Sequence, residues 1–315
     1  MNNLLVTGAK GFIGSHLVRE LELHGSVFDD VFTFSSTEYD LTNRLSVTEL
    51  LSDCPSHTIL HLAGKIGNES SYVAKPASFF SDNFDTLSEL LKAASNKGLK
   101  RFVHVISSDA YPKDAGVYKE KELLSGAPFE FCSNYAAAQR AASEFVHACA
   151  TQFGFEACTI ILPTVYGPGD HLESDLMQPV ADFMYRFQDA KINQESRVTL
   201  KGNPDAFIEL IYVRDAVQGI LQTLNLTTLP RALNLGSSDV ISFKALALLI
   251  QKVVAFDGAV LWDINQARHG ERSIDSSQAR ELLQFAPKIG LQNGLDRMYS
   301  WYDQKTKQLD LFASR

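Results

Sequence analysis

Gly8, Gly11 and Gly14 are spaced three apart between an apolar run and an amphipathic one. Leu4-Leu5-Val6-Thr7 reads as a buried strand, and Phe12, Ile13, Leu17 and Leu21 form the apolar face of a following helix. A strand, glycine turn and helix in this order suit a dinucleotide. The helix N-terminus offers unpaired N–H groups and a positive dipole end to a pyrophosphate, and glycines let the backbone approach. Three spaced glycines are a weak signal alone, so the strand-then-helix context carries the reading. Lys10 lies inside the turn, and the next apolar run ends in Ser35-Ser36-Thr37 with no acid before Glu38. An acid at that strand end would take the 2′-hydroxyl of NAD, whereas a lysine suits a 2′-phosphate. NADP is therefore expected ahead of NAD. Ser107-Ser108-Asp109, Tyr135 and Pro163-Thr164 are the other polar clusters beside apolar runs.

These residues need a scaffold that brings them together. Apolar runs at 31–34, 58–62, 101–106 and 157–162 read as strands, separated by helical patterns at 45–51, 77–97 and 135–153. Alternating β and α with near-continuous apolar strands implies an α/β fold, a doubly wound parallel sheet of Rossmann type. Ligands of such sheets bind at the carboxyl ends of the strands. Those ends here are Thr7, Ser35, Leu62-Ala63-Gly64, Ser107-Ser108 and Pro163-Thr164. Beyond residue 167 the pattern gives helices at 176–187, 214–224, 243–256, 276–283 and 291–302. Short strands fall at 198–200, 209–213, 232–235 and 260–261. The expected division is a dinucleotide-binding domain over 1–166, with 208–235 returning to it. A smaller C-terminal α/β substrate lobe takes 167–207 and 236–315.

With 29 Lys and Arg against 37 Asp and Glu, the net charge of -8 gives no general attraction to nucleic acid or anionic membrane. An anionic ligand must be met by a local cluster. No basic, apolar and cleavage-site pattern opens the sequence, so a cytoplasmic location is expected. Cys54, Cys132, Cys149 and Cys158 lack metal-ligand spacing and read as reduced thiols, Cys132 lying close to Tyr135. His61 falls in the third strand, His16 and His171 are isolated, and no metal site is expected.

The glycine turn, Asp40-Leu41-Thr42, His61-Leu62-Ala63, Ser107-Ser108, Tyr135 and Tyr166-Gly167-Pro168 follow a recognisable order and spacing. In these the chain resembles the extended short-chain dehydrogenase/reductase family, the NAD-dependent epimerases and dehydratases. It is most similar to the GDP-fucose synthase branch, the GDP-4-keto-6-deoxymannose epimerase-reductases. That likeness rests on Lys65-Ile66-Gly67, Tyr111-Pro112-Lys113, the run from Glu120 to Leu124, and Pro179 leading to Arg186-Phe187. The resemblance implies that Ser107 and Tyr135 hold a sugar oxygen while the tyrosine exchanges its proton and hydride moves to or from nicotinamide. For the cofactor it implies contacts from Gly8, Lys10, Gly11, Phe12, Ile13, Gly14, Ser35, Asp40, Leu41, Leu62, Ala63, Gly64, Lys65, Asn83, Gln139, whose amide can still hydrogen-bond a ribose, and Pro163. Ser108, Thr164, Arg186 and Arg272 are the implied substrate contacts. A homodimer is also implied, through a four-helix bundle built on Ala136-Ala137-Ala138 and the stripe Leu87, Leu90, Leu91, Ala94; core burial within one chain would explain the same stripe.

Several positions depart from the family pattern. Gln139 stands where the family has a lysine that binds the ribose and lowers the tyrosine pKa by its charge. A carboxamide supplies no charge, so Tyr135 is expected near its ordinary value of about 10. Arg140 points about 100° away around the helix and cannot substitute. Asp109 and Leu176 replace the cysteine and histidine of the epimerising pair, which argues against 3,5-epimerisation and leaves Asp109 as a lone base. Ile208 replaces a diphosphate-gripping arginine. The expected function is an NADP-dependent reductase of a 4-keto nucleotide sugar, GDP-linked, with Tyr135 as proton donor. The alternatives are a nucleotide-sugar 4-epimerase or dehydratase with retained cofactor, and a catalytically silent cofactor-binding protein.

Overall fold

Strands whose residues are apolar on both sides can be stable only with helices on both faces, and that is how this chain folds. The computed structural model describes residues 2–114, 116–171, 176–264 and 272–313. The first half runs β1 (Leu4–Thr7), α1 (Phe12–His24), β2 (Val31–Thr33), α2 (Arg44–Asp53), β3 (Thr58–His61), α3 (Glu69–Ala74), α4 (Pro76–Ser95) and β4 (Arg101–Ser107). Then come β5 (Gly116–Tyr118), α5 (Ser133–Phe153), β6 (Glu156–Leu162), β7 (Thr164–Tyr166), α6 (Pro179–Ile192), β8 (Arg197–Lys201) and β9 (Phe207–Tyr212). The chain continues through α7 (Val213–Leu224), β10 (Ala232–Asn234), β11 (Val240–Ser242), α8 (Phe243–Val254), β12 (Ala259–Asp263), β13 (Arg272–Ile274), α9 (Ser277–Leu283) and α10 (Leu291–Ala313).

Six strands form one parallel sheet in the order β10-β6-β4-β3-β1-β2. Alternate residues face opposite helix layers. Leu4, Val6, Leu60, Val103 and Ile160 pack with Leu17 of α1 and Val217 and Ile220 of α7. Leu5, Ile59 and Phe102 pack instead with α2, α4 and α5. The stripe Leu87, Leu90, Leu91 and Ala94 is consumed in this second layer, none of it more than 3% exposed, so it is interior to one chain rather than a dimer face.

A separate apolar cluster gathers Phe183 and Phe187 of α6, Leu246 and Ile250 of α8, and Leu295 and Met298 of α10. Of the segment expected to return to the main sheet, α7 packs beneath it and β10 joins its edge, but β9 pairs with β7 and β11. Its pleat explains this: Ile211 faces the main-sheet cluster, whereas Ile208, Leu210 and Tyr212 face the other. Helix α6 starts at Pro179, three residues after the expected 176, because proline suits the first helical turn. Parts of the expected lobe at 172–175, 265–271 and 314–315 lie outside the described residues. No helix among the described residues is long and apolar enough to cross a membrane.

The start of α1 rests directly on the end of β1. A Cβ on Gly14 would strike the Gly8 carbonyl oxygen and lie 2.8 Å from Ala9 Cα. Gly8 has φ +69°, and a Cβ there would be 2.7 Å from Ala63 N. Both glycines are thus fixed by close packing of helix, turn and β3. Gly14→Ala is expected to cost about 1–3 kcal/mol by overpacking, read as a lower urea midpoint with unchanged slope.

Candidate active site

The carboxyl ends of β1, β3, β4 and β6 open into one cleft of about 400 Å³. Its walls bring together Gly8, Gly11, Phe12, Ile13 and Gly14 from the first turn, and Leu62, Ala63, Gly64 and Lys65 after β3. Asn83, Ser107, Asp109, Tyr135, Gln139, Pro163 and Thr164 complete the expected set. A dinucleotide fits these residues. The Cβ positions of Gly8 and Gly14 are filled by backbone, whereas a Cβ on Gly11 would meet only the Gly8 oxygen, at 3.2 Å, leaving its other side open to a ligand. Asn83 clamps the strand exit, accepting from Lys65 N at 2.9 Å and donating to Lys65 O at 3.0 Å.

Other expected contacts lie elsewhere. Lys10, Ser35, Asp40 and Leu41 are outside the cleft wall; Leu41 is buried in the layer of α2 and α4, and Asp40 Oδ1 accepts from Thr42. Ser35 donates from both N and Oγ to Glu38 Oε2, each at 2.7 Å. Arg186 grips Asp182 through Nε at 2.9 Å and reaches neither the cleft nor the small pocket beside it. That small pocket holds Ser108 and Arg272 next to Thr164 and Asp109. Arg272, expected at phosphates, lies 3.0 Å from Asp109 Oδ1 and stacks over Phe129. Asp109 is therefore not a lone base: it is paired with a guanidinium.

The reacting groups are arranged around Gln139. Its Oε1 accepts from Ser107 N at 3.1 Å, and its side chain lies beside the Tyr135 hydroxyl, where it favours the phenolate weakly. Tyr72 stacks on Tyr135 with ring centres 4.8 Å apart, its own hydroxyl accepting from Gly67 N. The expectation of an ordinary tyrosine is corrected here. Tyr135 is 6% exposed, and burial first, then the Asp109 carboxylate, push its pKa well above the usual phenol value. Arg140 does not compensate, since it donates to the carbonyls of Ala110, Ser125 and Gly126. Cys132 is 1% exposed, packed among Tyr72, Phe79 and Tyr135.

The cleft also contains residues that sequence patterns passed over: Tyr72, His104, Asp170 and Gln178. Gln178 ties the start of α6 to the cleft by donating to Gly67 O at 2.9 Å, and Leu176 lines the wall where a histidine stands in the family pattern. Asp170 follows Gly167-Pro168-Gly169, a turn at a strand end that could have flagged it. It is 4% exposed; Oδ1 accepts from His171 N at 2.8 Å, and Oδ2 has no partner among the described residues. Burial raises its pKa to about 7.

Fold and cleft together define a dinucleotide-dependent oxidoreductase of the short-chain type. Residues 4–236 match the NAD dependent epimerase/dehydratase family, and the chain belongs to it. It is 27% identical over 300 residues to "GDP-L-fucose synthase 1" of Arabidopsis thaliana, covering 95% of this chain and 92% of that protein. A Campylobacter jejuni structure described as a GDP-6-OMe-4-keto-L-xylo-heptose reductase superposes with TM-score 0.87 at 19% identity, over 96% of this chain and 98% of that one. A GDP-mannoheptose C4 reductase from the same organism, with NADP bound, gives 0.82 at 22% identity over 96% and 98%. The chain is an NAD(P)-dependent oxidoreductase/epimerase of nucleotide sugars.

The buried Asp170 carboxyl has a pH signature. Its folded pKa of about 7 lies above the ordinary 3.8, so the folded chain keeps a proton that the unfolded chain releases, and stability falls as pH rises through that window. Asp170→Asn is expected to match wild type near pH 4 and exceed it at pH 8 by up to about 4 kcal/mol in thermal unfolding. Equal stability at pH 8 would contradict this.

Proposed function

We propose that this chain is an NADPH-dependent reductase of a 4-keto sugar linked to GDP. The observation that carries the reading is the state of Tyr135. A phenol that is buried, faced by Asp109 and given a neutral amide instead of a cation holds its proton at neutral pH. The proton that a ketone oxygen must receive is therefore in place, and the group is ill suited to deprotonate an alcohol. Bound NADPH supplies the hydride. Ser107 Oγ and the Tyr135 hydroxyl hold the ketone oxygen, and the Gln139 N–H stabilises the phenolate that remains. Asp109, paired with Arg272, acts as a fixed charge behind Tyr135 rather than as a base, and Ser108 and Thr164 border the sugar.

A 4-epimerase or dehydratase needs Tyr135 as a base, which this environment opposes. A silent cofactor-binding protein would have no use for the Ser107–Gln139–Tyr135 linkage. GDP is favoured because the similar proteins above are GDP-sugar enzymes. NADP is favoured by Lys10 and by the NADP-bound structure, though its 2′-phosphate would have to displace Glu38 from Ser35. NAD, with Glu38 accepting the ribose hydroxyl, is the alternative. The reading includes residues 1–166 with 208–235 around the cofactor, the remainder around the sugar, and a cytoplasmic homodimer. With the leucine stripe internal, such a dimer uses the outer faces of α4 and α5, where Phe80 is 38% exposed.

The test is NADPH absorbance with GDP-4-keto-6-deoxymannose. Wild type should consume NADPH, and Tyr135→Phe should slow this by about 10²–10⁴-fold while still binding cofactor. Loss of neither rate nor NADPH in any 4-keto nucleotide sugar assay would overturn the reading. Gln139→Lys restores the cation and should raise alcohol oxidation at pH 8 by about 10–100-fold, with a smaller change in reduction.

A further inference from the structure

One face of the Tyr135 ring is covered by another tyrosine. Tyr72 of α3 lies over it with ring centres 4.8 Å apart and planes 25° from parallel, and Phe79 of α4 meets the same ring edge on at 6.5 Å. Tyr72 and Phe79 pack edge to face at 4.7 Å, and Cys132 closes the cluster. None of these three neighbours is more than 5% exposed, yet Tyr72 also reaches the cleft wall beside Tyr135.

Tyr72 is anchored at its far end. Its hydroxyl accepts from Gly67 N at 3.2 Å, and Gly67 O accepts from Gln178 Nε2 at 2.9 Å, so the ring is tied both to the loop after β3 and to the start of α6. The loop must carry glycine here, because a Cβ on Gly67 would strike Ser71 Oγ and lie 2.6 Å from the Phe79 ring. A helix of six residues has little stability of its own. This one is held by Asn68 Oδ1, which accepts from Ser71 N at 3.0 Å, by Pro76 starting α4 directly after it, and by the ring it inserts into the cluster.

We propose that Tyr72 is a positioning residue for the proton transfer: its ring fixes the plane of the Tyr135 ring and keeps water from the phenol. This rests on the reductase reading, in which the Tyr135 proton passes to the ketone oxygen. Stacked and edge-on rings prefer particular mutual arrangements, so the cluster limits how Tyr135 turns about its side-chain bonds. Such restraint matters because a misplacement of about 1 Å in a reacting group can cost on the order of 10²-fold in rate. Water at the phenol would also solvate a phenolate and ease ionisation. The titratable groups acting on Tyr135 are Asp109 from the end of β4, Cys132 from the approach to α5 and Tyr72 from α3, with the Gln139 amide beside it; burial outweighs them all. Burial raises the Tyr72 hydroxyl as well, so Tyr72 covers its neighbour as a neutral phenol and adds no charge.

The test compares Tyr72→Phe, which keeps the ring, with Tyr72→Ala, which removes it. Tyr72→Ala should slow reduction of the keto sugar by about 10–100-fold in kcat while NADPH affinity stays within about threefold of wild type, whereas a general structural lesion would weaken both. In ¹³Cζ-tyrosine NMR of the NADPH-bound protein, with Tyr135→Phe assigning the signal, Tyr72→Ala should show a phenolate fraction of Tyr135 at about pH 10.5 that wild type lacks. Tyr72→Phe should recover at least about a third of the wild-type kcat and keep Tyr135 as a phenol, since the stack remains. A Tyr72→Phe as slow as Tyr72→Ala would overturn the proposal by assigning the role to the hydroxyl. An unchanged kcat with a raised KM in Tyr72→Ala would overturn it by making Tyr72 a sugar contact. Tyr72→Leu, which fills the space without a flat face, replaces Tyr72→Ala if that variant does not fold. The NMR comparison uses no keto sugar, so a wild type that reduces none would refute the reductase reading alone, and a Tyr135 signal unmoved by loss of the Tyr72 ring would refute the positioning role.

Discussion

The site depends on one carboxamide. Gln139 accepts from the Ser107 backbone N–H beside the Tyr135 hydroxyl, tying the end of β4 to the start of α5. The tyrosine therefore meets a neutral amide rather than a cation. A neutral donor supports a phenolate less than an ammonium would, and a buried setting beside Asp109 opposes it further. Binding a dinucleotide and using it are then separate properties. The glycine turn serves the first, and the protonation of Tyr135 bears on the second.

The doubly wound sheet explains why so few residues define the cleft. Parallel strands end on the same side, so Thr7, His61, Ser107 and Leu162 finish near one another although more than 150 residues of sequence separate the first from the last. The helix layers lock this arrangement: α1 touches β1 closely enough to require Gly14, and α4 and α5 pack on each other across the layer that holds Asn83, Tyr135 and Gln139. The same register sets Thr7 and His61, at the ends of β1 and β3, beside His104 and Thr159 in the interior of β4 and β6.

The central strands were legible because burial on both faces writes itself as an unbroken apolar run, and the long helices because their stripes are regular. The cleft was legible wherever a residue sits at a strand end or in the glycine turn. What escaped was short or distant. Helix α3 is six residues long, too brief for a period to show, and it carries Tyr72 onto Tyr135. Asp109 and Arg272 are 163 residues apart, so no local pattern could pair them. The sequence reveals that a lysine is missing at 139 but not that Tyr135 is buried, and burial moves its pKa furthest. The leucine stripe of α4 looks the same whether it faces a partner or its own core; only the packing of α5 against it decides.

The most direct measurement is the titration of Tyr135 itself, by ¹³Cζ-tyrosine NMR of the NADPH-bound protein, with Tyr135→Phe assigning the signal. A proton donor of the kind described here keeps its phenol signal unchanged from pH 6 to about pH 10, at and below the ordinary tyrosine value. A Tyr135 that ionises between pH 6 and about 9 would be a poised base, and would contradict the account.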